Sequence, residues 1–410
     1  MATNPPRIAI LGAGPIGLEA GLYARQLKLP FTIFEQGRIA EHVQRWGHTR
    51  LFSPFGMNTT SLGRKAVAGN RLEPNFPADT QCITGREHVA QYLAPLAELL
   101  RERIKTDTRV ISIGRANVYK HEAIGDPARA KSPFVLVLRE KQAERYEEAD
   151  IVLDCTGTYS HHRWLGPNGL PALGEAQVEP SIIYGLPDIL GDAKRDYVNK
   201  SILVIGAGYS AATTVCSLAK LSLEHNTTWT TWVSRSPQTQ PLRRIPDDPL
   251  RERDKLAVSA NLLATRDDDN VEYRANTVVE QIEVLQQNQG FRVMLRTGSQ
   301  KKPLEVEKII ANVGYTPDRA IYRELQIHEC YATFGPMKLA AALLGQKSND
   351  CMKQICHGPE SLRNPEPNYY ILGAKSFGRN SQFLLRIGFE QVRDVFTLIM
   401  SDAKLDLYRW

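Results

Sequence analysis

Two six-residue segments, Gly12-Ala13-Gly14-Pro15-Ile16-Gly17 and Gly206-Ala207-Gly208-Tyr209-Ser210-Ala211, carry glycine at the spacing a backbone needs to wrap a pyrophosphate. In such a turn the first glycine permits the tight bend and the second lets main chain reach the phosphates. The third position brings helix and strand together. The anion then rests on the N-terminus of the following helix, where free N–H groups and the helix dipole favour negative charge. Either segment alone also reads as a tight strand-to-helix turn with no ligand. Two copies about half a chain apart, each in the same context, predict two dinucleotides on one chain.

The flanking elements support that reading. Ahead of the first turn lies an apolar strand, Ile8-Ala9-Ile10-Leu11; behind it the pattern predicts a helix from Pro15 to about Lys28. A second strand, Phe31-Thr32-Ile33-Phe34, leads into Glu35, where a ribose hydroxyl would need an acceptor. The second turn follows Ser201-Ile202-Leu203-Val204-Ile205 and opens a helix from Ala211 through Leu221. Its next strand, Trp229-Thr230-Thr231-Trp232-Val233, ends in Ser234-Arg235 instead of an acid. A guanidinium beside a hydroxyl suits a ribose 2′-phosphate, which reads as NADPH and not NADH.

The 410 residues are enough for two or three domains, and 42% apolar with 23% charged residues is ordinary for a globular protein. The net charge of +6 is scattered, without the Lys/Arg block that nucleic-acid binding would require, and is assigned to anionic cofactors and a solvated face. No run reaches 18 apolar residues, so no membrane span is expected. The first strand begins by about residue 7, leaving no room for a signal peptide, and the six cysteines are dispersed as buried thiols would be. A cytoplasmic location is the expectation.

Between the turns, Gln44-Arg45-Trp46-Gly47-His48-Thr49-Arg50-Leu51-Phe52-Ser53-Pro54-Phe55 has no helical or strand period and reads as a functional loop. Apolar spacing through Val89, Tyr92, Leu93, Leu96, Leu99 and Leu100 predicts an amphipathic helix over Gly85–Arg103. A β-meander with strands at Arg109–Ile113 and Phe134–Leu138 follows. The strand Ile151–Asp154 then runs into Cys155-Thr156-Gly157-Thr158, and the Pro/Gly-rich passage Gly166–Gly174 reads as a hinge. A strand at Lys308–Val313 closes the second nucleotide domain. A last strand, Tyr369–Leu372, and a helix from about Ser381 to Ser401 must return to the first. The predicted fold class is α/β, with two Rossmann-like dinucleotide-binding domains. Residues 1–165 and 314–410 form the split first domain, 178–313 the inserted second, and 166–177 the hinge.

Over almost its whole length the chain resembles the two-dinucleotide-domain flavoproteins, which include thioredoxin reductases, bacillithiol disulfide reductases and flavin-containing monooxygenases. The resemblance rests on the first turn with Glu35, the Thr156-Gly157 crossover, the second turn with Arg235, the Gly314-Tyr315 return and Gly373 before the last helix. It implies FAD at Gly12, Gly14, Gly17, Glu35, Thr156, Gly157 and Gly373. NADPH is implied at Gly206, Gly208, Ala211, Ser234 and Arg235. Relatives often pair, so a homodimer is also implied.

Three departures matter. Thioredoxin reductases carry a closely spaced cysteine pair in the NADPH domain, where this chain has only Cys216. Many relatives place an Asp after the late glycine to bind the ribityl chain. In Leu372-Gly373-Ala374-Lys375, Lys375 cannot accept a hydrogen bond, so it either pairs with a phosphate or meets the flavin differently. The flavin-containing monooxygenases have a histidine fingerprint before their second turn, and Tyr184-Gly185-Leu186-Pro187-Asp188 lacks the His.

In that family hydride passes from nicotinamide to flavin, and the protein aligns the rings and stabilises the reduced flavin's charge. The closing helix, starting near Arg379-Asn380-Ser381-Gln382, is expected to present its N-terminus and Asn380 to the flavin; Asn380 or Ser381 serving only as N-cap is the plainer alternative. Trp46 is a candidate to stack on the flavin and His48 to donate a proton, against core packing for one and a local hydrogen bond for the other. Cys351 and Cys356 have the C-x4-C spacing of a redox disulfide but lie late in the chain, and peripheral thiols are expected. Cys155 has no activating neighbour. His161-His162 reads as an exposed loop pair, and no Cys/His set has metal spacing.

The sequence thus predicts an NADPH-dependent FAD oxidoreductase whose reduced flavin reacts with something outside the chain, preferably oxygen, as a monooxygenase acting on a small molecule. The apolar stretch Leu51–Phe55 would help to exclude water there. An NADPH-dependent reductase of an external low-molecular-weight disulfide is the alternative, and a non-catalytic NADPH-sensing flavoprotein a third.

Overall fold

Fully buried parallel strands read as unbroken apolar runs, because both faces are covered. A computed structural model describes residues 5–69, 75–266, 270–286, 289–346 and 350–409, and places two parallel sheets with such strands at their centres in the chain. The chain forms two compact units, one built from residues up to Gly47, Ser53–His161 and Tyr315 onward, the other from His48–Phe52 and His162–Gly314.

The first unit carries a five-stranded parallel sheet in the order β15-β7-β1-β2-β3, made of β1 (Ile8–Leu11), β2 (Phe31–Phe34), β3 (Ile104–Lys105), β7 (Ile151–Asp154) and β15 (Tyr369–Ile371). An antiparallel meander, β4 (Thr108–Arg115), β5 (Phe134–Glu140) and β6 (Ala143–Ala149), supplies Ile113, Phe134, Leu136 and Leu138 to a core shared with Ala9, Leu11 and Val152 of the sheet. The helix Pro15–Gln26 packs so closely on the sheet that a Cβ on Gly21 would lie 2.7 Å from Ile33.

The second unit repeats this plan. Its parallel sheet runs β10-β9-β8-β14, from β8 (Ser201–Ile205), β9 (Trp229–Val233), β10 (Val271–Arg274) and β14 (Lys308–Ala311). Its meander is β11 (Thr277–Val284), β12 (Phe291–Thr297) and β13 (Gln300–Val306). Alternate side chains of β8 serve opposite layers. Ile202 and Val204 pack with the helix Tyr209–Glu224, whereas Leu203 and Ile205 pack with the meander. The α/β fold class is as expected.

Three local readings need correction. The segment expected as one helix over Gly85–Arg103 is α-helical at Gly85–His88, a π-turn at Val89–Leu93, α-helical at Ala94–Leu99 and a 3-10 turn at Arg101–Arg103. Pro95 has no N–H to give and its ring crowds the carbonyl four residues back, so the helix widens just before it. The expected hinge at 166–177 is packed inside the second unit. Leu173 donates to the carbonyl of Glu280 and accepts from Ile282, while buried Glu175 accepts from the N–H groups of Leu165 and Ala172 and from the Tyr184 hydroxyl. The closing helix spans Leu385–Met400, not from 381, because Asn380 Oδ1 accepts from the N–H of Gln382 and holds that stretch in a turn. Among the described residues no helix is long and apolar enough to cross a membrane.

Candidate dinucleotide-binding sites

At the carboxyl end of β1 the chain turns at Gly12, whose φ of +95° suits glycine and whose Cβ would come within 2.9 Å of the Cys155 carbonyl oxygen. A Cβ on Gly17 would lie 1.9 Å from the Gly12 oxygen, so the third glycine closes helix onto turn. Gly14 differs: nothing stands within 4 Å of the Cβ it lacks. It is the N-cap of Pro15–Gln26, and that helix start has neither a side-chain cap nor an acid in its first turn. The turn therefore offers open space beside backbone donors and a positive helix end, which is what a pyrophosphate requires.

Glu35, 8% exposed at the end of β2, accepts from the N–H of Ala13 at 2.7 Å and of Gly37 at 2.9 Å. Burial pushes its pKa up while those two donors pull it down. Gly157 and Gly373 both have positive φ, and Gly373 sits against Ile16 of the first helix. Sequence reasoning misses Gln391, fully buried on the closing helix, whose Oε1 accepts from the N–H of Gly373 at 2.8 Å and fixes that turn. A glutamine in an amphipathic helix gives no signal of this role.

The second turn has the same construction. Gly206 has φ of +139°, and its Cβ would meet the Asn312 oxygen at 2.3 Å. Gly208 is the N-cap of Tyr209–Glu224, again with nothing within 4 Å of its absent Cβ, no side-chain cap and no first-turn acid. Ala211 is completely buried at the third position. The Trp232 indole N–H donates to the Gly206 carbonyl at 2.7 Å and Asn312 Nδ2 to Gly185 at 2.6 Å, two supports that the sequence does not advertise. Ser234 is buried with its hydroxyl 2.7 Å from the Tyr273 hydroxyl, while Arg235 is exposed and without an ion-pair partner among the described residues.

Other expected site residues are placed differently. Lys375 meets no open cradle: it is 1% exposed, with Nζ 2.6 Å from Asp154 Oδ2 and 3.0 Å from Thr156 Oγ1. Asn380 forms the turn described above and does not cap the closing helix, whose N-cap is Leu384. Trp46 packs its ring against Gly85, where a Cβ would lie 2.6 Å from Cζ3, and its buried Nε1 has no hydrogen-bond partner among the described residues. His48, half-buried, belongs with residues 48–52 to the second unit, so the loop expected over Gln44–Phe55 is divided. Phe55 is a core residue, fully buried beside Phe76 and Tyr92, and not part of a surface cover. His161 lies 3.4 Å from Asp318, and His162 stacks on Tyr184 with Nε2 2.9 Å from Glu179, so neither is a free loop histidine.

None of the six cysteines is joined in a disulfide. Burial pushes Cys155 well up, Cys216 to about 11, and Cys356, which donates to Asp394 at 3.1 Å, to about 12. A hydrogen bond to Thr333 draws Cys330 down.

A parallel sheet whose first strand feeds a glycine turn and an uncapped helix, built twice in one chain, is the fold of the two-dinucleotide-domain flavoproteins. Residues 9–137, less than a third of the chain, match the family model described as pyridine nucleotide-disulphide oxidoreductase. Nearly the whole chain is similar to solved structures. With the bacillithiol disulfide reductase of Bacillus cereus it shares 15% identity over 97% of this chain and 99% of that one, at a TM-score of 0.66. An ornithine N-hydroxylase of Kutzneria sp. 744, solved with reduced FAD, NADP+ and L-ornithine, gives 14% identity over 97% and 99%, at 0.64. The cadaverine monooxygenase of Erwinia amylovora, bound to FAD, gives 14% over 97% and 95%, at 0.63. No curated protein sequence matches the chain.

Proposed function

We propose that this chain is an oxidoreductase holding FAD on the first glycine turn and NADPH on the second, with the flavin's electrons leaving to an external acceptor. The observation that carries this reading is the duplicated open turn followed by opposite charges. Gly14 and Gly208 leave room where a Cβ would stand, Glu35 waits as an acceptor beside one, and Arg235 is a solvent-facing cation after the strand that follows the other. Bound FAD would supply the hydride-accepting chemistry that no side chain provides. Gly12, Gly17 and Glu35 would orient its diphosphate and ribose; Gly206, Gly208 and Arg235 would select the phosphorylated nicotinamide dinucleotide.

The acceptor is read as external because the second unit has Cys216 as its single cysteine, on the helix Tyr209–Glu224, and so holds no cysteine pair to relay electrons. Oxygen is the favoured acceptor, which makes the chain a monooxygenase of a small molecule; the two hydroxylating structures it is similar to support this. Reduction of an external low-molecular-weight disulfide is the second reading, favoured by the likeness to the bacillithiol disulfide reductase. NADPH consumption followed with and without oxygen, across amines, sulfides, ketones and disulfides, separates them. Turnover that needs oxygen and rises with an amine, sulfide or ketone supports the first, and anaerobic turnover with a disulfide supports the second. A flavin that NADPH never reduces contradicts both.

A further inference from the structure

The first unit contains a buried polar network centred on a carboxylate, Asp154, whose four acceptor positions are all filled. Asp154 ends β7 directly beside Leu11, the last residue of β1, so its carboxylate stands where the glycine turn leaves the sheet. Its Oδ1 accepts from the Thr156 hydroxyl at 2.7 Å and from the Thr156 N–H at 3.2 Å. Its Oδ2 accepts from Lys375 Nζ at 2.6 Å and from the Tyr369 hydroxyl at 2.8 Å. Lys375 gives a second hydrogen bond to Thr156 Oγ1 at 3.0 Å and lies 5.1 Å from the centre of the Tyr322 ring. Both charged side chains are completely buried, whereas Thr156 is partly exposed.

A hydroxyl has one proton and two lone pairs. In Thr156 the proton is committed to Asp154 and one lone pair to Lys375, which leaves a single lone pair. We propose that Asp154 and Lys375 are positioning residues that make Thr156 an obligate hydrogen-bond acceptor for a sugar hydroxyl of the bound dinucleotide. A phosphate or carbonyl oxygen has no proton to offer and is refused; of the donors such a ligand carries, the ribose and ribityl hydroxyls flank the diphosphate at the turn, whereas the ring N–H groups lie at its outer ends. The turn after β15 offers no substitute. Ala374 has no polar side-chain atom, Lys375 is engaged, and the buried Ser376 hydroxyl donates to the Gly373 carbonyl and accepts from Gln391 Nε2. This inference rests on the proposal that FAD binds the first turn.

The test uses protein stripped of flavin and titrated with three probes: riboflavin, lumiflavin, which lacks the ribityl hydroxyls, and ADP. Thr156→Val should bind riboflavin or ADP about tenfold more weakly, while lumiflavin binding is unchanged and Thr156→Ser restores the loss. A loss confined to riboflavin places the ribityl chain at Thr156, and one confined to ADP places the ribose there. Replacing the ion pair by Asp154→Leu with Lys375→Met leaves the core apolar and foldable but frees the Thr156 proton, and should lower the riboflavin preference about threefold. Thr156→Val that binds all three probes like the parent, or loses all three equally, overturns the inference. So does a folded double variant that keeps full discrimination. A parent chain that binds none of the probes overturns the FAD assignment itself.

Discussion

The two glycine turns share a backbone geometry and differ in the residue placed just beyond the next strand. In the first unit that residue is an anion, Glu35, buried and already bonded to the glycine turn through Ala13. In the second it is a cation, Arg235, exposed and without an ion-pair partner among the described residues, beside a serine whose hydroxyl is engaged with Tyr273. A preformed acceptor loses little side-chain entropy when ligand arrives, whereas a free arginine must be ordered each time. The first arrangement suits a cofactor that stays, and the second a dinucleotide that exchanges every cycle. On the proposed assignment, equal geometry at the phosphates goes with unequal residence, decided at the sugar.

The sharpest way to break this comparison is to fill each turn separately. Gly14→Val places a side chain where the protein itself leaves space, so the chain should fold yet purify without FAD. Gly208→Val should keep FAD and lose reduction by NADPH; flavin absorbance per protein checks both. Next, Lys375→Met strands the Asp154 carboxylate in the core of the first unit and should cost about 3–5 kcal/mol in denaturant unfolding.

A third prediction concerns buried acids. Glu19 in the first unit lies in a hydroxyl cage, with Thr60 Oγ1 at 2.9 Å and the Tyr92 hydroxyl at 3.4 Å, and burial raises its pKa from 4.5 to about 7. A raised carboxyl stabilises fully below pH 4.5 and loses that contribution as pH rises through 7, a fall of about 3 kcal/mol. His88, which stacks on Tyr92 and is pushed by burial from 6.5 to about 4, runs the other way, contributing fully above pH 6.5 and losing it as pH falls through 4. The difference between parent and Glu19→Gln unfolding curves across that range isolates the glutamate, and a pH-independent difference would refute its burial as an acid. The smallest effect is expected from Arg235→Ala, which should raise KM for NADPH about 10–100-fold, equivalent to about 1.5–3 kcal/mol for a charge-assisted hydrogen bond, and leave KM for NADH unchanged.

Much of this architecture can be read from residues alone. Strands β1, β7 and β8 stand out because a parallel strand buried on both faces is a near-continuous apolar run, β2 and β9 because their aromatic and β-branched residues favour extended chain, and the turn glycines because their spacing is fixed by phosphate geometry. Harder cases are those in which distant partners decide a residue's role. Lys375 looks like a phosphate ligand until Asp154, 221 positions earlier in the chain, takes up its charge in the core. Phe55 and Trp46 lie in an aperiodic aromatic stretch, and such a stretch has the same composition whether it covers a ligand or packs inside. The start of the closing helix is hard to place because Asn380 suits both an N-cap and the turn that precedes one.

Adding NADPH anaerobically to the purified chain and following the flavin spectrum decides whether the two turns hold these two cofactors. A yellow protein is expected, bleaching with NADPH at far lower concentration than with NADH and regaining its colour on admission of air. A colourless protein that takes up no FAD on incubation, or a flavin that both nicotinamides reduce equally well, would contradict that assignment.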